Sequence, residues 1–210
     1  MPDAGRVIAG SAAGRRLRAP GPGTRPLADR VKQTLFAIVE PDLPGAAVLD
    51  LFAGSGAAGI EALSRGAASV VFVERDSSAV RTIEDNLRTT GLAGPAATVV
   101  RADAVSWLGG SQSTPAPFDL VIVDPPYADT STLEVVLERL GAAAAPLRPG
   151  GRVVAKHFWR DRPPDRIGLL ASERERRFGE TALTFLRRVE PEAPAASGEP
   201  ALPAAVEEDR

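Results

Sequence analysis

Asp50-Leu51-Phe52-Ala53-Gly54-Ser55-Gly56 is the stretch on which the reading of this 210-residue chain turns. The residues before it, Ala46–Phe52, form an apolar strand, and Ala57–Arg65 after it reads as a short helix. Between them the backbone must turn sharply and come close to a ligand. Glycine permits both, and the following helix aims its unpaired N–H groups at the same point. Taken literally, Gly54-Ser55-Gly56-Ala57-Ala58-Gly59 is a G-x-G-x-x-G string, and Glu74 follows at the distance where a dinucleotide site places its ribose acid. An NAD-dependent oxidoreductase is therefore one reading. Asp50 points elsewhere. A carboxylate beside the loop repels a pyrophosphate but attracts the ammonium end of S-adenosyl-L-methionine, which carries no phosphate.

Outward from the loop, strands and helices alternate. Strands are expected at Ser69–Glu74, Ala97–Arg101, Phe118–Val123 and Arg152–Lys156. Helices are expected at Ser77–Thr90 (closed by Gly91), Ala104–Leu108 and Leu133–Ala144. Continuous apolar strands separated by helices imply an α/β fold, with a mostly parallel sheet covered on both faces. Ile167–Leu170 and Leu183–Arg188 lie too close in sequence for a crossover helix and read as an antiparallel pair at one edge. Ligands of such sheets bind outside the carboxyl ends of the strands. Two more acids fall there. Glu74 can accept from both ribose hydroxyls, and Asp103 from an adenine amino group, with the Ala104 N–H offered to the ring. The expected cofactor set is Asp50, Phe52, Ala53, Gly54, Ser55, Gly56, Glu74, Arg75, Asp103 and Ala104.

Asp124-Pro125-Pro126-Tyr127 follows the fourth strand and names the chemistry. An exocyclic amino nitrogen of a nucleobase is a poor nucleophile, because its lone pair is delocalised into the ring. Accepting both of its N–H bonds, one by the Asp124 carboxylate and one by the Pro125 carbonyl, localises that pair. Proline fixes the backbone and brings no competing N–H, and Tyr127 can stack on the base. Positioning and fixed charge would supply most of the catalysis, and no metal is required. A dehydrogenase has no use for this loop. The expected catalytic residues are Asp124, Pro125, Pro126 and Tyr127.

Composition narrows the rest. A hydrophobic fraction of 44% suits a folded domain. With no cysteine, a disulfide framework and a thiolate metal site are excluded. No apolar run approaches the roughly 20 residues that span a bilayer, and no signal peptide opens the chain, so a cytoplasmic location and no membrane partner are expected. The net charge of −2 conceals an asymmetry. Residues 1–36 carry seven basic side chains and two acids, and residues from Glu190 onward carry six acids and one arginine. A basic end is a candidate polyanion footprint. Arg6, Arg15, Arg16, Arg18, Arg25, Arg30 and Lys32 are the expected contacts of such a polyanion, which the family resemblance given below makes RNA. Val7-Ile8-Ala9 reads as a short strand, and a helix with Pro26 near its start presents Val31, Leu35, Phe36 and Val39 on one face. Residues 1–24 are expected to form a hairpin-like, RNA-contacting extension, 25–189 the Rossmann-like domain, and 190–210 a disordered acidic tail. His157 is assigned no role, and Trp107 is expected in the core.

These motifs together resemble the RsmD family of bacterial 16S ribosomal RNA guanine-N2 methyltransferases. The resemblance is carried by Asp50–Gly56, Glu61-Ala62-Leu63-Ser64-Arg65-Gly66-Ala67, Phe72-Val73-Glu74 and Asp124–Tyr127. It extends to the stretch Arg25–Phe36 before the core, and to Arg6–Gly10 and Gly14–Leu17, so that it runs from about Arg6 to Arg188. Leu27 and Ala28 stand where hydroxyl residues are expected, and Gln33 where Glu is. The resemblance implies a Rossmann-like, S-adenosylmethionine-dependent methyltransferase with a seven-stranded sheet, antiparallel in its last strand. It further implies N2-methylation of guanine 966 of 16S ribosomal RNA, within the assembling small ribosomal subunit, and a small N-terminal RNA-contacting element. A DNA adenine-N6 methyltransferase shares the D-P-P-Y loop but needs a target-recognition domain for which the chain has no room. A glutamine-methylating enzyme prefers Asn at the position of Asp124. A non-catalytic RNA-binding module would be indifferent to the loss of Asp124.

Overall fold

The computed structural model describes residues 3–21, 28–110, 117–126 and 130–190. Arg25, Pro26, Tyr127 and the tail from residue 191 lie outside them. In chain order the elements are β1 (Asp3–Arg6), β2 (Arg16–Arg18), α1 (Asp29–Val39), β3 (Ala47–Leu51), α2 (Ala57–Ser64), β4 (Ser69–Glu74), α3 (Ser77–Thr90) and β5 (Ala97–Arg101). They continue with α4 (Ala104–Gly109), β6 (Phe118–Val123), α5 (Thr130–Gly141), β7 (Leu147–Phe158), β8 (Arg166–Ile167), β9 (Leu170–Phe178) and β10 (Thr181–Arg188).

The main sheet has the order β5-β4-β3-β6-β7-β10-β9-β8. Its first five strands are parallel, and β10 runs antiparallel to β7. This is the expected Rossmann-like α/β class with an antiparallel last strand. The strand count is eight rather than seven, because the two residues of β8 pair with β9 beyond it. The late strands also differ in place. Ile167–Leu170 is the turn between β8 and β9, and β9 itself runs through Ser172-Glu173-Arg174-Glu175-Arg176-Arg177. That stretch has no apolar alternation to read, because its side chains are mostly exposed. Lys156 does not end its strand: β7 continues to Phe158 and pairs there with Thr181.

Apolar side chains of the parallel strands point both ways and make two cores. On one face α1, α2 and α3 cover Val48, Val70, Phe72, Leu120, Ile122 and Val154. On the other, α4 and α5 cover Leu49, Leu51, Val71, Val121 and Val153. Trp107 packs there, its ring 6.3 Å from that of Phe118, in keeping with a core role. Helix α3 starts where Asp76 accepts from the Ser78 and Ala79 N–H groups, both at 2.9 Å, and ends at Gly91 with φ of 76°.

The N-terminal strands are β1 and β2, an antiparallel pair. The expected strand at Val7–Ala9 is displaced upstream, since Val7 already lies past the end of β1. Ala4, Val7, Ala12 and Leu17 are buried in the same core as α1 and α2, so this extension is packed onto the domain.

Candidate active site

The carboxyl ends of β3, β4, β5 and β6 open into one cavity of about 720 Å³, a size that suits a cofactor-sized ligand. Asp50, Phe52, Ala53, Gly54, Ser55, Glu74, Arg75, Asp103, Ala104, Asp124, Pro125 and Pro126 all line it. Eleven predicted site residues besides Asp50 are thus brought together from four strand ends, as the topology requires. Gly56 does not line the cavity; it supports it. Its φ of 75° starts α2, and a Cβ there would meet Ile83 at 3.2 Å. Gly59, the third glycine of the string, admits close packing: a Cβ would lie 2.2 Å from the Phe72 ring. Phe52 has φ of 61° and is the only described non-glycine residue with positive φ. Backbone strain of this kind costs about 1–3 kcal/mol and collects at functional sites.

The acids are held in different ways. Asp50 is 2% exposed, and its Oδ2 accepts from the Gly59 N–H at 2.9 Å. Burial first, then the nearby Asp124 and Glu74 charges, push its carboxyl up to about 8 against the single amide that opposes the shift. Glu74 accepts from Gly54 N–H through Oε2 and from Asp76 N–H through Oε1, both at 2.8 Å, so it fixes the glycine loop to β4. A carboxylate has about four lone-pair positions, and two remain for hydroxyl groups. Asp103 caps α4, accepting from Ser106 N–H at 2.9 Å, and this bond holds its carboxyl below the usual range. It lines the cavity at the same time.

Asp124 lies beyond the end of β6 and is paired with Lys156 of β7, whose Nζ donates to Oδ1. Burial raises the Asp124 carboxyl above its ordinary value, and the Lys156 charge and hydrogen bond oppose that. Nothing in the sequence marked Lys156 for the site. The signal was its register: it is one residue beyond Ala155, which pairs with Val123, the residue before Asp124. His157 is buried, with Nε2 2.8 Å from Thr184 Oγ1.

The basic residues divide. Arg6, Arg15, Arg16, Arg18 and Arg30 are exposed. Arg6 and Arg16 each face an acid, Asp29 at 3.9 Å and Asp3 at 3.1 Å. Lys32 is a correction. It is fully buried, donates to the Arg6 carbonyl, and lies 3.9 Å from both Asp29 and Glu61, so it has no access to a phosphate. The apolar flank of α1 draws it inward, and Glu61 makes its burial tolerable. Glu61 is the second residue that the sequence left unread. Fully buried on α2, it accepts from Ile8 N–H (2.7 Å), Ala9 N–H (3.0 Å) and Arg65 Nε (2.8 Å). Ser64 and Asn86 complete the docking. Asn86 bonds the Arg18 backbone through both amide atoms, and its Nδ2 also donates to the Ser55 carbonyl, each at 2.9 Å.

A family described as conserved hypothetical protein 95 matches residues 5–187. The chain belongs to this family, the RsmD family. Its similarity to YlbH of Bacillus subtilis (strain 168), whose name gives rRNA methylation as a presumed activity, is 38% identity over 87% of this chain and 98% of that protein. Ribosomal RNA small subunit methyltransferase D of Escherichia coli (strain K12) is 43% identical over 58% of this chain and 60% of its own length. Among solved structures, yhhF from Escherichia coli, described as a presumed methyltransferase, superposes with a TM-score of 0.76 at 33% identity, covering 88% of this chain and 97% of that one. The RsmD family assignment removes the dehydrogenase reading of the glycine loop. Among the described residues no helix is long and apolar enough to cross a membrane, and no group of three or more His, Cys, Asp or Glu could hold a metal ion.

Proposed function

We propose that this chain transfers a methyl group from S-adenosyl-L-methionine to the N2 amino nitrogen of a guanine in 16S ribosomal RNA. The resemblance implies guanine 966 as the target and the assembling small subunit as the setting, and both belong to this proposal. The observation that carries the reading is the meeting of Asp50, Glu74 and Asp124 in one cavity. Two of these acids suit a cationic, ribose-bearing ligand, and the third suits an amino group.

The cavity fits the cofactor on its own chemistry. Asp50 is a buried carboxyl that meets one backbone amide, and a cationic ammonium would restore the charge that burial disfavours. Glu74 would hold the ribose and Asp103 the adenine edge. When bound, the cofactor supplies an electrophilic methyl group. The residues of the chain do the rest. Asp124 accepts one amino N–H and the Pro125 carbonyl the other, which localises the nitrogen lone pair toward the cavity. Lys156 holds the Asp124 carboxylate in place and favours its acceptor form against burial. The nitrogen becomes acidic once methylated, so its proton can leave through Asp124 to water without a strong base. Tyr127, outside the described residues, is assigned the stacking role by its place in the loop.

The exposed Arg6, Arg15, Arg16, Arg18 and Arg30, with Arg25 outside the described residues, are proposed to contact RNA phosphates. The target base must be unpaired or flipped out to reach Asp124. The decisive experiment incubates the protein with tritiated S-adenosyl-L-methionine and ribosomal RNA from a strain lacking the gene, followed by nucleoside mass spectrometry. Label in N2-methylguanosine is expected. Label in adenine, or none in RNA, would overturn the reading.

A further inference from the structure

A second basic surface lies away from the N-terminal element. The segment from Trp159 to Arg188 carries eight arginines and five acids. Among the described residues Arg162 and Arg187 are engaged by acids, and Arg188 by the carbonyls of Ala142 and Ala143. Arg160 and Arg177 form no ion pair there. Instead both rest on one aromatic ring: the Arg177 guanidinium carbon is 3.6 Å and that of Arg160 4.9 Å from the Trp159 centroid. The Trp159 backbone is anchored, its amide N–H donating to the Glu180 carbonyl at 3.0 Å. Arg177 is oriented further by an Nε bond to the Gly179 carbonyl at 2.9 Å. Two exposed guanidinium groups, stacked on a ring and unneutralised by carboxylates, are preorganised to take anionic oxygens.

Their place in the fold gives them a ligand. Trp159 stands three residues beyond Lys156, about 10 Å along an extended chain, on the carboxyl end of the sheet where the cavity opens. A groove of about 290 Å³ shares Pro125, Pro126 and Lys156 with the cavity and reaches Phe158, Asp161 and Arg162, the chain neighbours of Trp159 and Arg160. Its far wall bears Glu134 and Glu138 of α5, which repel a phosphate. The Trp159 side carries Asp161 as well as Arg162, and the cations that draw a polyanion's backbone to that side are Arg160 and Arg177 on the Trp159 ring. The N-terminal strands dock on α2 and α3, over the other half of the sheet, so the two basic surfaces flank the cofactor cavity.

We propose that Arg160 and Arg177, held on Trp159, form a phosphate clamp for the RNA strand on the groove side of the acceptor nucleotide. This rests on the reading of ribosomal RNA as substrate. The test measures binding of a small-subunit ribosomal RNA fragment across a salt series, by fluorescence anisotropy, to the parent chain and to an Arg160→Ala/Arg177→Ala variant. The variant should bind about tenfold more weakly at low salt. The slope of log affinity against log salt should also fall by about 1.4, the value for two single-strand phosphate contacts. Cofactor binding should be unchanged, and the Arg160→Lys/Arg177→Lys variant should recover most of the slope. With Trp107→Phe as background, Trp159 is the only tryptophan of the two that remains, and RNA should alter its emission. A variant that matches the parent in affinity and slope would overturn the clamp while leaving the reaction intact. Full RNA binding by the parent with no label transferred would sink the proposed reaction and leave the clamp standing.

Discussion

Asp50 and Asp124 stand at the ends of adjacent parallel strands, and burial raises the carboxyl of each. They differ in what answers their charge. Asp124 has Lys156 built into the fold beside it, whereas Asp50 has one backbone amide and two neighbouring acids. A carboxylate with a built-in cation beside it is held toward the form that accepts from a neutral amine, against the burial that raises it. A carboxylate left uncompensated is a request for a cation from outside. The same residue type near the carboxyl ends of neighbouring strands is thus fitted to opposite partners, the acceptor amine on one side and the sulfonium cofactor on the other.

The largest test of this contrast is Asp124→Ala. Removing a positioned acceptor from the reacting centre should lower turnover about 100- to 1000-fold. The dissociation constant for S-adenosyl-L-methionine, read by calorimetry, should change little. A variant that lost cofactor binding as much as turnover would show that Asp124 belongs to the cofactor half. Asp50→Asn should invert the pattern, weakening cofactor binding about 10- to 100-fold through loss of a charge-assisted contact. Its pH dependence carries the sign. Binding a cation requires the carboxylate, so below a pKa of about 8 the parent must release a proton to bind. Parent affinity should therefore rise about tenfold per pH unit up to about 8 and then level off. The Asn variant should be flat over that range.

Legibility in the sequence followed the same line. The glycine loop, the strand-end acids and the D-P-P-Y loop were readable because each is local: a turn, an N-terminus or a carboxylate at a fixed offset from a strand. Lys156 was not, because its role depends on the register of β6 against β7, and a pairing between strands is not a property of either segment alone. Glu61 and Lys32 were misread or unread for a related reason. Charged residues are mostly exposed, and only the docking of residues 8 and 9 onto α2 makes Glu61 an internal acceptor and Lys32 its buried neighbour. Strand β9 was missed because a polar strand near an edge carries no apolar period.

Lys156→Met sharpens the contrast at moderate size. Without its cation Asp124 loses the influence that opposes burial, so its carboxyl rises further. The acidic limb of the pH–rate profile should move to higher pH, with the alkaline plateau less affected. An unshifted limb would mean that Asp124 does not titrate in the rate.

Asp50 also predicts an effect on the ligand-free fold. A carboxyl whose folded pKa is raised binds its proton more tightly when folded. Between its unfolded value of about 4 and the folded value of about 8, the folded state holds more protons, and stability falls as pH rises through that window. Asp50→Asn should remove this slope, so the variant gains melting temperature relative to the parent at pH 9 but not at pH 4.

The smallest effect expected is at Asn86, which belongs to neither acid yet joins their site to the N-terminal element. Buried at 1% exposure, it ties both backbone atoms of Arg18 and the Ser55 carbonyl together. Pro20 and Gly21, just past Arg18, line the cofactor cavity. Asn86→Ala removes the side-chain partner of one buried backbone group, the Ser55 carbonyl, and of two part-buried ones on Arg18, and each such loss costs about 1–3 kcal/mol where water cannot replace it. Relaxation of the exposed β2 edge should recover part of this, giving a net cost near the lower end of that range in denaturant unfolding. Cofactor affinity should fall only severalfold, because Glu74 still fixes Gly54 from the other side of the loop. If affinity instead fell as far as in Asp50→Asn, the glycine loop would owe its position to the N-terminal strands rather than to the strand-end acids, and the division between the two aspartates would no longer account for how the cavity is held.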